Sequence, residues 1–225
     1  MAWRSSGSTN AELIANMLRY GVFSSERVAA AMTKVDRANY VLDKGDAYID
    51  SPQRIGYDAT ISAPHMHAHA AENLLPYLHP GARVLDVGSG SGYLSAVLFH
   101  LVNAPGSGGK GKVVGIEHIE ELVQWSKENL RRDGLSKEMD EGRIIMIAGD
   151  GRQGWPSEGP YDAIHVGAAA PTMPQALIEQ LARPGRMFIP VGTREQKIVQ
   201  VDKDTEGKVT QKELIDVLYV PLTDR

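Results

Sequence analysis

Val84-Leu85-Asp86-Val87-Gly88-Ser89-Gly90-Ser91-Gly92-Tyr93-Leu94 decides how the rest of the chain is read. Val84, Leu85 and Val87, interrupted by the single acid Asp86, predict a short buried strand. Glycines then fall at every second position. After Gly92 the pattern turns helical, with Leu94, Val97, Leu98 and Leu101 at i, i+3, i+4 and i+7. Strand, glycine turn and helix in this order make a ligand crevice at the carboxyl end of a strand in an open α/β sheet. Glycine lets backbone come close to a ligand and take φ > 0. The dinucleotide fingerprint G-x-G-x-x-G/A fits only in part. Gly88 and Gly90 match it, but Tyr93 stands where the third small residue packs strand against helix, and Asp86 is foreign to it. Taken alone, the stretch could also be an ordinary glycine-rich turn.

The chain has 225 residues, enough for one sizeable core. Hydrophobic residues make up 42% and charged residues 23%, which is ordinary globular usage. A net charge of −4 offers no basic field for nucleic acid. The absence of cysteine removes disulfides, thiolate nucleophiles and thiolate–zinc sites. The start, Met1-Ala2-Trp3-Arg4-Ser5, has no apolar signal core, and no apolar run reaches membrane-spanning length. A soluble, cytoplasmic protein is expected, organised as one domain over 1–225, with 1–57 as a helical extension or lid and 58–225 as the core.

Thr9 and Glu12 are spaced as a capping box for a helix through Leu13, Ile14, Met17 and Leu18. Ser24-Ser25 can cap a second helix through Val35, and 36–57 reads as irregular. Ile55 to Ala68 is a loop rich in hydroxyls and histidines before a helix over Ala68–Leu75. Polar loops beside a rigid scaffold are where function concentrates. Residues 103–111 form a loose Gly-rich linker. Strands are predicted over 113–117, 143–148, 161–166 and 187–191, with helices over 119–130 and 175–181 between them. Ile198–Val201 and Leu214–Val220 are two last strands around a turn at 203–207. Strand–helix alternation followed by consecutive strands predicts an α/β, doubly wound, mostly parallel sheet with an antiparallel edge.

Four strand ends then converge: the glycine loop, Glu117, Gly149-Asp150 and Gly167-Ala168. An acid at the end of the second strand suits ribose hydroxyls; as an alternative, Glu117 and Asp150 are helix or turn caps. The string D-x-G-x-G-x-G over Asp86–Gly92, with these strand ends, resembles the class I (Rossmann-like) S-adenosylmethionine (AdoMet) methyltransferases. The strings Asp50-Ser51-Pro52-Gln53, Ala59-Thr60-Ile61-Ser62-Ala63-Pro64-His65-Met66-His67-Ala68, His165-Val166-Gly167-Ala168-Ala169-Ala170-Pro171 and Tyr219-Val220-Pro221-Leu222-Thr223-Asp224 narrow this. Over nearly the whole chain they resemble the protein-L-isoaspartate (D-aspartate) O-methyltransferase family.

The resemblance implies a cytosolic monomer, and the charge and hydropathy of the chain lead us to expect neither a nucleic-acid nor a membrane partner. It methylates the α-carboxylate of L-isoaspartyl, and more weakly D-aspartyl, residues in aged proteins and releases S-adenosylhomocysteine. The ester then closes spontaneously to a succinimide, whose hydrolysis restores some normal aspartyl bonds. Carried onto matching positions, it makes Ser62 the catalytic residue. Ala59, Thr60, Ile61, Ser62, His67, Asp86, Gly88, Gly90, Ser91, Glu117, His118, Gly149, Asp150 and Thr223 would hold the cofactor. Thr60, Ile61, Ser62, Ala63, Val220 and Leu222 would meet the substrate. Eukaryotic members usually carry Asp where this chain has Glu117; the chain stops at Arg225, short of a further C-terminal cofactor contact, and Pro105–Gly111 looks inserted. The family also permutes its last strands relative to other class I enzymes.

A carboxylate is ionised at neutral pH and needs no general base. The chemistry asks for proximity, alignment and a water-poor site. Ser62 and Thr60 suit that as donors that aim the carboxylate. A Ser62–His67 hydrolase is disfavoured because the glycine loop is not a G-x-S-x-G elbow. His65, His67 and His69 would share a face on a strand, but only His65 and His69 on a helix. No carboxylate at a recognised zinc spacing completes a set, so no metal is expected. An RNA or small-molecule methyltransferase, a non-catalytic AdoMet-binding adaptor and an NAD dehydrogenase are the rival classes. Trp3, Trp125 and Trp155 are expected to pack against the domain.

Overall fold

The computed structural model describes residues 2–103, 106 and 108–223. Expectations about the Trp3 side chain, Pro105, Ser107, Asp224 and Arg225 lie outside the described residues. Helices α1 (Asn10–Arg19) and α2 (Glu26–Lys34) open the chain. Thr9 caps the first by accepting the Glu12 N–H, and Ser25 caps the second through the Val28 N–H. The returning half of the capping box is displaced by one residue, for the Glu12 carboxylate accepts the N–H of Ser8 at 2.8 Å.

The segment expected to be irregular contains a 3-10 turn (Arg37–Asn39) and strand β1 (Gln53–Gly56), which pairs antiparallel with β2 (Ala59–Ile61). The two residues joining them, Tyr57 and Asp58, sit at φ 52 and 56. A type I′ hairpin turn requires positive φ at both positions and usually advertises it with Asn-Gly or Asp-Gly. Tyr-Asp carries no such signature, and strands this short carry little alternation. Helix α3 spans Pro64–Leu74, four residues ahead of the expected start. Pro64 occupies its first turn, where a missing N–H costs nothing.

The alternation then runs β3 (Arg83–Val87), α4 (Tyr93–Val102), β4 (Lys112–Glu117), α5 (Glu120–Arg132), α6 (Ser136–Asp140), β5 (Ile144–Ala148), β6 (Tyr161–Val166), α7 (Gln175–Gln180), β7 (Leu181–Val191), β8 (Gln196–Lys203) and β9 (Val209–Val217). The short α6 is unanticipated, β7 begins directly after α7, and β9 ends at Val217 rather than Val220. The strands lie side by side in the order β5-β4-β3-β6-β7-β8-β9. The first five are parallel; β8 and β9 run antiparallel and follow in chain order. The chain leaves β3 toward one edge and returns to β6 on its other side. That reversal opens a crevice at the carboxyl ends of β3 and β6.

Strand alternation assigns the two faces. Val84 joins one core with Leu13, Met17, Val28, Met32, Leu74, Val97 and Leu130, so α1 and α2 share a core with α3, α4 and α5. Leu85 and Val87 join the other, with Ile116, Ile164, Leu177 and Leu222. Each side chain buried in this way contributes about 1.5–3 kcal/mol. Trp125 packs against the first core and Trp155 against the second.

Two residues near the crevice make the fold testable. Gly92 lies at φ +83, and a Cβ there would stand 3.2 Å from the Ser126 Cβ on α5. Gly92→Ala is expected to lower unfolding free energy by about 1–3 kcal/mol in urea titration; unchanged stability would mean that the loop relaxes freely. On α3, His65 and His69 share one face while His67 turns inward, 7% exposed, with its ring 5.0 Å from Tyr93. Burial, and then the charge of Arg37, hold the His67 pKa well below its ordinary 6.5. The unfolded chain therefore takes up a proton here that the folded chain refuses. Stability from this residue is present above pH 6.5 and is lost as pH falls below it. Toward acid pH, stability of the natural chain should fall more steeply than that of His67→Gln, by up to about 1.4 kcal/mol per pH unit. Parallel curves would place His67 in a wetter environment.

Candidate active site

The crevice is built around Asp86. Strand register sets Asp86 directly beside His165 of β6. Both side chains point to the α4 face, where His165 Nδ1 lies 2.8 Å from one Asp86 oxygen and Ser95 Oγ donates to the other at 2.6 Å. Asp86 is 1% exposed. Its carboxylate is thus fully engaged in joining β3, β6 and α4 below the glycine loop.

The loop takes left-handed backbone at Gly88, Gly90 and Gly92, with φ 72, 48 and 83. Close approach adds to this at Gly90, where a Cβ would meet Ile55 of the hairpin at 3.2 Å; one on Gly88 would make only ordinary contact with Gly167 and Ala168. Glu117, at the end of β4, accepts the Gly90 N–H at 3.1 Å and the N–H groups of His118 and Ile119 at 2.8 and 3.2 Å. Glu117 caps no N–H of α5, whose N-cap is Ile119 without a side-chain hydrogen bond; its carboxylate holds the loop and the backbone that leads into the helix. The His118 ring closes on the same carboxylate at 2.9 Å.

Two cavities flank this loop. Thr60, Ile61, Ser62, His67, Asp86, Gly88, Gly90 and Ser91 line the first, with Tyr93 and His165. Ala59, Thr60, Gly88, Gly90, Glu117, His118, Val220, Leu222 and Thr223 line the second. The tail reaches it because residues 220–222 form a short bridge to the strap after β6. There the Ala169 N–H donates to the Val220 carbonyl and the Leu222 N–H to the Ala169 carbonyl, both at 2.8 Å. Gly149 and Asp150 lie one strand farther out and line neither cavity. The Gly149 N–H donates to the Glu117 carbonyl at 2.9 Å. Arg152 grips the Asp150 carboxylate through Nε and Nη2, each at 2.9 Å, and that hydrogen bonding lowers the Asp150 pKa.

A third space, a groove of about 650 Å³, opens on the other side of the hairpin. Its walls are Thr60, Ser62, Ala63, His65, Met66 and His69 on one side and Ile215–Val220 on the other. Of the expected substrate residues, Thr60, Ser62, Ala63 and Val220 face it. Ile61 and Leu222 face the cavities by the loop instead. Thr60 and Ser62 belong to both the groove and the first cavity. Burial pushes the Tyr219 phenol up to about 12, opposed by a hydrogen bond from the Ser62 side chain. Asp50 fixes His65, accepting its backbone N–H at 3.0 Å and lying 2.8 Å from its Nδ1. Tyr219 and His165 sit inside quoted motifs without being singled out, and the place of His165 beside Asp86 comes from the strand register.

The donor set fits AdoMet. The loop leaves backbone open to a ligand, the Ser89 hydroxyl is buried without a hydrogen-bond partner among the described residues, and Glu117 lines the second cavity from the end of β4. Among the described residues no Lys or Arg lines either cavity, while Asp86 and Glu117 do. That charge suits a sulfonium better than a pyrophosphate. Comparison with known proteins agrees. Residues 8–225 match the family model described as Protein-L-isoaspartate(D-aspartate) O-methyltransferase. A protein-L-isoaspartate O-methyltransferase of Caenorhabditis elegans is 51% identical over 227 residues, covering 100% of this chain and 97% of that one. Protein-L-isoaspartate O-methyltransferase 1 of Arabidopsis thaliana is 49% identical over 98% of this chain and 94% of its own. A Plasmodium falciparum structure, described as such a methyltransferase in complex with S-adenosyl-L-homocysteine, superposes with a TM-score of 0.87 at 33% identity, covering 97% of this chain and 100% of that one. The crevice, its charge and these relatives lead to one conclusion: the chain belongs to the protein-L-isoaspartate (D-aspartate) O-methyltransferase family, on a class I methyltransferase fold.

Proposed function

We propose that this chain methylates the free α-carboxylate of L-isoaspartyl residues, and more weakly D-aspartyl residues, in damaged proteins, with AdoMet as donor, and so starts repair through a succinimide. The observation that carries the reading is that Thr60 and Ser62 line the cofactor-side cavity and the open groove at once. A group in the groove and a group in the crevice meet there, with a hydroxyl from each residue.

AdoMet supplies a methyl group activated by a positively charged sulfur. The remaining work belongs to the chain's own residues. The carboxylate arrives ionised, so no base has to take a proton from it. Ser62, as the catalytic residue, and Thr60 donate hydrogen bonds that aim one oxygen across the shared wall. Glu117, His118 and Ala59, with Thr223 from the tail, hold the nucleoside end in the second cavity. Gly88, Gly90, Ser91, Ile61 and His67 line the methionine end, and Asp86 holds the floor in place. Gly149 and Asp150 would serve the adenine from the neighbouring strand end, for which Asp150 has to share its grip on Arg152. Burial keeps His67 neutral, so its ring adds no charge beside the sulfonium.

A repair enzyme must accept many surrounding sequences, which favours recognition through peptide backbone. β9 is the outer strand of the sheet, and its end, Ile215–Val217, forms one wall of the groove. An extended substrate adding to such an edge would be held by main-chain hydrogen bonds near Ile61–Ala63 and Val217–Leu222. Isoaspartyl peptides with N-methylated backbone amides should then be poor substrates. The working unit is one domain over 1–225, with 1–57 as an extension of the core. It acts in the cytoplasm as a monomer on isoaspartyl proteins, without nucleic acid or membrane. Among the described residues no helix is long and apolar enough to cross a membrane.

The test is transfer of labelled methyl from AdoMet to a matched pair of peptides, one with isoaspartate and one with normal aspartate. Base-labile label on the isoaspartyl peptide alone is expected. Label on neither, with AdoMet still bound, would favour an adaptor or another acceptor. Ser62→Ala should lower turnover by about 10–100-fold with near-normal AdoMet affinity; a matching loss of AdoMet affinity would make Ser62 a cofactor ligand.

A further inference from the structure

Arg37 is 0% exposed, the largest of the fully buried side chains. It stands on the 3-10 turn of the N-terminal extension, away from every motif that marks the active site. Taking a guanidinium out of water is costly unless a carboxylate or several acceptors compensate it. Here no carboxylate salt bridge to it is found among the described residues. Asp50, the nearest acid in effect, is bonded to Ser5 and His65. Burial lowers the Arg37 pKa to about 10, which leaves it charged at neutral pH.

What Arg37 does contact is informative. Its Nη2 donates to the Ser62 carbonyl at 3.0 Å and to the Ser51 carbonyl at 3.5 Å. Ser51 lies just before β1 and Ser62 just after β2, so one nitrogen clamps both ends of the hairpin base. The guanidinium carbon lies 5.5 Å from the centre of the Tyr93 ring. Tyr93 is the first residue of α4, next after Gly92 of the glycine loop. Nε and Nη1 have no hydrogen-bond partner among the described residues, and the same holds for the Tyr93 hydroxyl and His67 Nδ1 beside them. The cation is therefore not retained for a strong ion pair of its own. Its contacts connect the substrate-side hairpin to the cofactor-side loop.

We propose that Arg37 is a positioning residue for methyl transfer: it holds the Ser62 peptide at a fixed distance and angle from the glycine loop. The inference rests on the reading of Ser62 as the residue that meets the carboxylate. Holding the Ser62 carbonyl fixes the plane of the 62–63 peptide, and with it the direction of the Ser62 side chain. A charge-assisted hydrogen bond is stronger than a neutral one, and it is made where water cannot compete. Seating the same guanidinium against Tyr93 ties that plane to the helix that follows the loop. Transfer between two bound groups falls by about a hundredfold when their placement slips by about 1 Å, so a rigid tie at this position acts on rate more than on binding. Lysine can supply the charge but not the flat face against Tyr93.

The experiment compares the natural chain, Arg37→Lys, Ser62→Ala and the double variant in steady-state methylation of an isoaspartyl peptide. Turnover is expressed per site titrated with S-adenosylhomocysteine, so that any misfolded fraction drops out. For Arg37→Lys, kcat should fall about tenfold while S-adenosylhomocysteine affinity changes by less than twofold. Added to Ser62→Ala, the same substitution should cost little further, because its effect passes through Ser62. The inference is overturned if Arg37→Lys turns over normally per titrated site, if its losses in affinity and rate match, or if its effect multiplies with that of Ser62→Ala. An unimpaired Ser62→Ala would instead remove the reading of Ser62 itself, a result distinguishable from each of these.

Discussion

The pairing of Asp86 with His165 is the constraint on which the crevice depends. Two parallel strands place them side by side, and the 2.8 Å contact, with the 2.6 Å bond from Ser95, joins β3, β6 and α4 at the point where the sheet reverses direction. Breaking one member of such a buried set leaves the others unpaired, at a cost of about 1–3 kcal/mol for each group. With that floor fixed, the glycine loop can rise close to Gly167 and Ala168, and Glu117 can reach across to its amide. The hairpin and the tail then close over a rigid edge.

A methyl acceptor that is already an anion changes what the protein must provide. No proton has to be moved, so no base–nucleophile pair is needed beside Ser62. The polar groups near it are tuned to stay in one state. His67 is held neutral by burial, Arg37 remains charged, and Tyr219 keeps its proton with a pKa near 12. What the site supplies is placement and exclusion of water. That explains why the surroundings of Ser62 are dominated by structural contacts: Arg37 behind its carbonyl, Asp50 on His65, and the first turn of α3 on Ala63.

Features that depend on local pattern were legible in the chain. The buried run Val84–Val87, the alternating glycines and the i, i+3, i+4 spacing after Gly92 sufficed for the central βα unit, and strand–helix alternation for the parallel sheet. The family strings placed Thr60, Ser62 and Thr223 in advance, and the structure brings all three to the hairpin wall or the cavity beside it. Features made by long-range contact were not legible. The β1–β2 hairpin is short and turns through Tyr57-Asp58 without the usual glycine. The tail docks on Ala169, more than fifty residues earlier in the chain. Arg37 lies in a segment with no periodicity, and its importance comes only from what folds around it.

The most direct measurement is a crystal structure with S-adenosylhomocysteine and a short isoaspartyl peptide bound together. The account places the product sulfur in the cavity lined by Ser62, His67 and Gly90, the peptide in the groove against Ile215–Val220, and the isoaspartyl carboxylate within hydrogen-bond distance of Ser62 Oγ, where the two spaces meet. A peptide bound elsewhere, or a carboxylate turned away from the Thr60–Ser62 wall, would contradict it.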